Sequence, residues 1–180
     1  MKNPPFLETM IKIIITGPES TGKSTLAKSL SNYLKEPFVP EFARFFIPTL
    51  KESYTAANLV DIARGQLYWH QLYKSNANKV LLCDTGVEAI DIWFQYRFGD
   101  INPQIRALFI ADEHCIYLVC KPDIPWEADP LRETPHQRPQ IFDSFVSLLN
   151  QFGKNYYIIE GQHEEDRFRC ALIHLHKILA

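Results

Sequence analysis

The chain has no net positive charge, no paired-cysteine motif and no long apolar run, and each absence removes a class of function. With 19 Lys and Arg against 21 Asp and Glu, its formal charge is -2. Nothing global therefore draws it to nucleic acid or to an anionic membrane, although a local basic patch stays open. Cys83, Cys115, Cys120 and Cys170 make no C-x-x-C pair and no zinc spacing. Three of them lie in apolar stretches, which reads as reduced thiols in a core. Residues 1–10 include Pro4 and Pro5 and no apolar signal core, and the Ile13–Ile15 run is too short to span a bilayer. There is no internal repeat, low-complexity tract or linker. A length of 180 residues, 46% hydrophobic and 22% charged, suits one globular domain over 1–180, expected in the cytoplasm.

What is present starts with Ile13-Ile14-Ile15-Thr16-Gly17-Pro18-Glu19-Ser20-Thr21-Gly22-Lys23-Ser24-Thr25. Gly17, Gly22, Lys23 and Ser24 satisfy G-x-x-x-x-G-K-[ST], the phosphate-binding P-loop. The glycines allow backbone angles at which successive N–H groups converge on one anion. The helix expected from about Lys23 to Leu34 adds its positive end there. Lys23 supplies a mobile charge for the β- and γ-phosphates, and the Ser24 hydroxyl suits Mg²⁺. The residues Gly17 and Glu19 to Thr25 are thus assigned to a nucleoside triphosphate.

The remaining pattern alternates strands and helices. Strands are expected at Lys12–Thr16, Phe38–Glu41, Lys79–Asp84, Cys115–Cys120 and Asn155–Glu160. Helices are expected from about Tyr54 to Ser75, Val87 to Phe98, Asn102-Pro103 to Ala111, Pro139 to Phe152, and at the C-terminal end, where Phe168, Ala171, Leu172, Leu175 and Ile178 form an apolar stripe. Such alternation implies right-handed crossovers and a five-stranded parallel sheet between two helical layers. This is an α/β fold of the three-layer P-loop NTPase kind. Ligands of such sheets collect at the carboxyl ends of the strands, which gathers Gly17, Glu41, Asp84, Lys121 and Gly161 on one edge. Lys121–Arg138, with Pro122, Pro125, Pro130 and Pro135, has no apolar period and reads as a short lid.

Accessory residues narrow the class. Asp84 is followed by Thr85, not by the glutamate that a hydrolytic motor sets beside its metal-site Asp. Asn78-Lys79-Val80-Leu81 begins like the guanine-reading N-K-x-D and fails at Leu81. A short chain with a P-loop, acidic strand ends and an arginine-bearing lid resembles a nucleoside or nucleotide kinase. Closure of the lid would bring Arg132 and Arg138 over the transferring phosphoryl group. Asp84 and Glu41 are both open as the acid that holds Mg²⁺ or accepts the acceptor proton, with Asp84 preferred for catalysis. Arg44 reads either as Glu41's ion-pair partner or as a substrate contact, and Gln66 as an acceptor contact. Tyr68, Trp69, Tyr73, Trp93 and Tyr96 lie where an acceptor site is expected, and aromatic faces suit a planar cationic ring.

These residues together resemble the NadR-type ribosylnicotinamide kinase domain. The likeness rests on Gly17–Thr25, Glu41-Phe42-Ala43-Arg44-Phe45, Ala63-Arg64-Gly65-Gln66, Cys83-Asp84-Thr85, Asp129-Pro130-Leu131-Arg132, Arg138, Gly161 and Arg167. The resemblance implies transfer of phosphate from ATP, with Mg²⁺, to the ribose 5′-hydroxyl of nicotinamide riboside. It also implies that Gly161 and Gln162 lie by the adenine. The H-x-G-H nucleotidyltransferase signature of longer family members does not occur here, so a freestanding kinase domain is expected. The partner is then a small-molecule acceptor, nicotinamide riboside or another nucleoside. Two other readings stay open: an ATP-binding regulatory module, and a kinase of a different acceptor. An oligomeric ATPase is disfavoured for want of a helical subdomain.

Overall fold

A computed structural model describes residues 10–129, 134 and 136–180 of the chain. Strands β1 (Ile11–Thr16), β2 (Phe38–Val39), β3 (Val80–Asp84), β4 (Cys115–Cys120) and β5 (Asn155–Ile159) form one sheet in the order β2-β3-β1-β4-β5, every pairing parallel. The helices are α1 (Lys23–Leu34), α2 (Phe42–Phe46), α3 (Ala56–Lys74), α4 (Val87–Phe98), α5 (Pro103–Ala111), α6 (Arg138–Gln151) and α7 (Glu164–Ile178). This is the three-layer P-loop NTPase fold with a five-stranded parallel sheet.

The centre of the sheet goes to the most continuous apolar run. Ile13, Ile14 and Ile15 of β1 are wholly buried, because a strand paired on both sides and covered on both faces must be apolar throughout. Alternation then divides the core. Ile14 and Tyr117 face Leu59, Ile62, Ile90, Phe109 and Phe145 of α3 to α6. Ile13, Ile15 and Leu118 face Leu26 and Leu30 of α1 and Ala171 and Leu175 of α7. The same period sets register: Ile15 pairs with Asp84 and Thr16 with Val119, so the strand ends that carry function finish level.

Local chemistry fixes several element ends. Thr55 and Asn58 form a reciprocal capping box that starts α3, and Asn102 caps α5 just before Pro103. Glu164, Glu165 and Asp166 in the first turn of α7, with His176 and Lys177 in its last, complement its dipole. Two details differ from the pattern reading. β2 stops at Val39, before Pro40, and Glu41 becomes the N-cap residue of a short helix, α2, that runs into a 3-10 turn over Ile47–Thr49. Phe42, Phe45 and Phe46 stand at i, i+3 and i+4, one face of a helix, in a stretch the pattern reading left without an element. Phe42 and Phe45 help to form α2 by packing on Trp69 of α3. All four thiols are free, Cys83, Cys115 and Cys120 being buried. Among the described residues no helix is long and apolar enough to cross a membrane.

Candidate functional site

The loop from Gly17 to Gly22 leaves the central strand and returns into α1. Its backbone is left-handed at Ser20 (φ 54°) and Gly22 (φ 73°), the kind of sequence that turns successive N–H groups inward. Gly17 is required sterically, since a Cβ there would stand 2.5 Å from the Cys120 carbonyl oxygen of the neighbouring strand. Inside the loop the Thr21 hydroxyl donates to the Pro18 carbonyl at 2.8 Å, and the Lys23 ammonium donates to the same carbonyl at 2.6 Å. The lysine is thus folded over the loop mouth, at the place its charge is needed.

Asp84 ends β3 beside β1 and is 3% exposed. Burial raises its carboxyl above the usual range, against the pull of the Ser24 hydroxyl, Lys23, Arg44 and Lys28. Its Oδ1 is buried and has no hydrogen-bond partner among the described residues. A hydroxyl and an orphaned carboxylate oxygen beside a phosphate loop are an all-oxygen donor pair of the kind that suits Mg²⁺, which keeps water and phosphate as its other ligands. No cluster of three or more His, Cys, Asp or Glu side chains with metal-binding geometry occurs among the described residues.

Glu41, the N-cap residue of α2, lines the same space beside Lys23. Its carboxyl is raised by burial first and then by the Asp84 charge, while Lys23 and Arg44 pull it down. Arg44 Nε donates to Glu41 Oε2 at 3.0 Å, so the ion pair read as one alternative from sequence is formed. Gln66 is 1% exposed and both ends of its amide are engaged: Oε1 accepts from the Phe42 N–H at 2.8 Å, and Nε2 reaches the Pro40 carbonyl at 3.4 Å and His70 Nε2 at 3.1 Å. It lines the cavity but serves first to tie the exit of β2 to α3. Burial pushes His70 down to about 4, so it is neutral and able to accept or donate within that pair.

Two cavities open on either side of the P-loop. The first, about 250 Å³, lies over the α3–α6 face of the sheet, with Lys23, Glu41 and Thr85 at one end and Ile62, Ala89, Ile92, Trp93, Tyr96 and Phe145 among its walls. Trp93 is fixed by its indole N–H donating to the Tyr54 hydroxyl at 3.0 Å. The second, about 340 Å³, lies over the α1–α7 face, lined by Ser20, Gly22, Thr25, Ile124, Gln162, Arg167 and Phe168 among others. Gln162, which the resemblance assigns to the adenine, is one of the residues lining this second cavity. Gly161, beside it, donates its N–H to Asp123 Oδ2 at 2.9 Å and adopts φ 143°.

The described part of the 121–138 excursion rests on the loop. Glu19 Oε1 accepts from the Trp126 indole at 3.3 Å and from the Thr134 N–H at 2.6 Å, and Ser20 Oγ accepts from the Glu127 N–H at 2.8 Å. Arg138, the first residue of α6, donates to the Ser20 carbonyl and to the Ile124 carbonyl, each at 2.9 Å. Its guanidinium braces the loop from outside through backbone oxygens. Arg132 lies outside the described residues.

Two buried charged side chains, Arg167 and Glu88, went unremarked, or were named without a role, in the sequence reading. Arg167 of α7 pairs with Asp123 and donates to the Lys121 carbonyl at 2.7 Å, tying the ends of β4 and α7. Glu88, in the first turn of α4, is wholly buried, its two carboxylate oxygens find no hydrogen-bond partner among the described residues, and burial raises its carboxyl to about 7. Gly86 is glycine for that reason, because a Cβ would meet Glu88 Oε2 at 2.3 Å. The only sequence signal for either was a charge on an otherwise core-facing helical stripe.

The sequence matches the AAA domain family over residues 12–167. It is 26% identical over 166 residues to the trifunctional NAD biosynthesis/regulator protein NadR of Escherichia coli strain K12, an alignment covering 88% of this chain and 40% of that protein. The chain thus spans well under half the length of that relative. Among solved structures, a NadR protein in complex with NR superposes with TM-score 0.75 at 19% identity, covering 93% of this chain and 50% of that one. A thymidylate kinase from Ehrlichia chaffeensis superposes with TM-score 0.65 at 15% identity, covering 95% and 99% of the two chains. At these identities the structural likeness is one of fold.

Proposed function

Because the chain belongs to the AAA domain family, we propose that it is an ATP- and Mg²⁺-dependent small-molecule kinase whose acceptor is the ribose 5′-hydroxyl of nicotinamide riboside, giving nicotinamide mononucleotide. The observation that carries this reading is the pair of cavities flanking the P-loop, the first lined by Lys23 and walled by Trp93, Tyr96 and Phe145, the second lined by Ser20, Thr25 and Gln162 among others. A phosphate donor and a planar acceptor need two such rooms with a shared wall. Aromatic walls favour a cationic pyridinium ring. The relative solved with NR supports the acceptor, and the kinases of like fold support the reaction class.

In the proposed reaction the acceptor oxygen forms a bond to the γ-phosphorus as the bond from that phosphorus to the β–γ bridging oxygen breaks, leaving ADP. The loop N–H groups and Lys23 hold the phosphates and meet the charge that spreads over them in the transition state. Mg²⁺, when bound by Ser24 and Asp84, neutralises charge on the β- and γ-phosphates. The acceptor proton goes to a carboxylate. Asp84 was preferred for it on sequence, but Glu41 lines the acceptor cavity while Asp84 stands against Ser24. That favours dividing the roles, Asp84 to the metal and Glu41 to the hydroxyl. A carboxyl raised by burial is a stronger base than a free one, which suits Glu41 to the task. Arg138 keeps the loop in shape, and Gln162 and Gly161 border the adenine. The excursion serves as the lid, and the chain acts as one domain in the cytoplasm.

The test is product formation by purified protein with ATP, Mg²⁺ and a panel of nucleosides. Conversion of nicotinamide riboside to its mononucleotide is the expected result. Transfer to a different nucleoside alone would keep the class and discard the acceptor. Tight ATP binding without transfer to any acceptor would favour the regulatory-module reading instead.

A further inference from the structure

Arg44 is held at two points. Its Nε donates to Glu41 Oε2 at 3.0 Å, and its Nη1 donates to Asp129 Oδ2 at 3.0 Å, across 85 residues of chain. Both carboxylates are mostly covered, at 25% and 22% exposure, whereas the guanidinium side chain is 42% exposed. An arginine this open, paired with one acid alone, would contribute little and would leave that acid free to turn. A guanidinium fixed by a second carboxylate has already lost its freedom, so its fork can orient the first.

Asp129 is itself anchored through its neighbours. Three residues earlier the Trp126 indole reaches Glu19, and two residues earlier the Glu127 N–H reaches Ser20, both side chains of the P-loop. A continuous run of polar contacts therefore joins the phosphate loop, the excursion, Arg44 and Glu41. The groups that bear on Glu41 are Asp84 from β3, Lys23 from the start of α1 and Arg44 from α2, and of these Arg44 is tied to Asp129 of the excursion.

We propose that Asp129 is a positioning residue: by holding Arg44 it fixes Glu41 in the wall of the acceptor cavity while the excursion rests on the P-loop. In this reading Asp129 acts on Glu41 through its hydrogen bond to Arg44. Its consequence for turnover rests on the kinase reading; the contact itself does not.

The decisive measurement uses the full chain without ligands, following solvent exchange of the Arg44 Nε–H by NMR, assigned through its loss in Arg44→Lys. Exchange is expected to quicken roughly fivefold or more in Asp129→Asn, and to quicken in Trp126→Phe, which removes the indole donor to Glu19. Asp129→Glu should restore most of the protection. Exchange in Asp129→Asn within about twofold of the parent, with unchanged thermal unfolding, would overturn the proposal. In turnover, Asp129→Asn should lower kcat about tenfold with KM for ATP unchanged, and adding it to Arg44→Ala should cost nothing more. Additive losses would also overturn it. A parent protein that phosphorylates no nucleoside would defeat the kinase reading and leave the exchange experiment to decide this one.

Discussion

The two faces of the sheet reach the P-loop with opposite chemistry. On the α3–α6 face the cavity is cut into core-facing helices, so its walls are Ile62, Ile92, Trp93 and Phe145, and the group buried beneath the loop is an acid, Glu88. On the α1–α7 face the cavity is bounded by loop and helix ends, with Ser20, Thr25, Glu127 and Gln162, and the buried group is a base, Arg167. The first cavity is walled largely by apolar and aromatic side chains, and the second carries polar groups at its rim. One loop between unlike rooms is what transfer between unlike substrates requires.

The largest effect comes from breaking the comparison where the rooms meet. Lys23→Ala removes the mobile charge that the proposal assigns to the transferring phosphates. It should lower kcat about a thousandfold while leaving acceptor binding nearly intact. Initial rates of ADP release with saturating acceptor, set beside acceptor affinity by calorimetry, read the two quantities separately. Equal losses in both would mean that Lys23 holds the acceptor cavity open and is not confined to the phosphates.

The unequal legibility of the two rooms has a physical cause. Gly17–Thr25 is contiguous, and its backbone constraints leave a spelling, so the loop, β1 and α1 could be read directly, as could the order of strands and helices from their apolar periods. The acceptor room takes Glu41, Gln66, Trp93 and Phe145 from four separate elements, and no local period reports that they converge. Gln66 illustrates the difficulty: a polar residue on an apolar stripe suggested a ligand contact, and its amide is engaged by Phe42, Pro40 and His70. Arg138 is similar, since a guanidinium beside phosphates and one bracing the loop by Ser20 and Ile124 carbonyls have the same sequence signature. Glu88 and Arg167 were hidden because each is an isolated charge on a packing stripe, and only the fold shows which turn of helix lies under the loop.

The acid under the acceptor room gives the next effect, on stability. Glu88 titrates near 4.5 in an unfolded chain and is raised to about 7 in the fold. Between those values the folded state holds a proton that the unfolded state has released, so the group's contribution falls as pH rises from about 4.5 through about 7, and stays lost above. The size is on the order of 2–3 kcal/mol. Denaturant unfolding at about pH 5 and about pH 8 should show that loss in the parent, and Glu88→Gln should flatten it. A Glu88→Gln protein with the parent's full pH dependence would assign the effect elsewhere and weaken the contrast between the faces.

The smallest effect is the cleanest division of the two rooms. Trp93→Leu keeps the acceptor wall apolar but removes the ring face, and should raise acceptor KM about tenfold, or about 1.4 kcal/mol, if the acceptor ring is cationic. KM for ATP should stay within about twofold, because Trp93 lines only the first cavity. Gln162→Ala, on the rim of the second, should do the reverse, raising KM for ATP a few-fold, about 1 kcal/mol for one hydrogen bond, and sparing the acceptor. The pair matters more than either member. A crossed pattern in steady-state kinetics assigns one substrate to each face, whereas a shift of both constants in either variant would mean that the rooms respond as one through the excursion that touches Glu19 and Ser20.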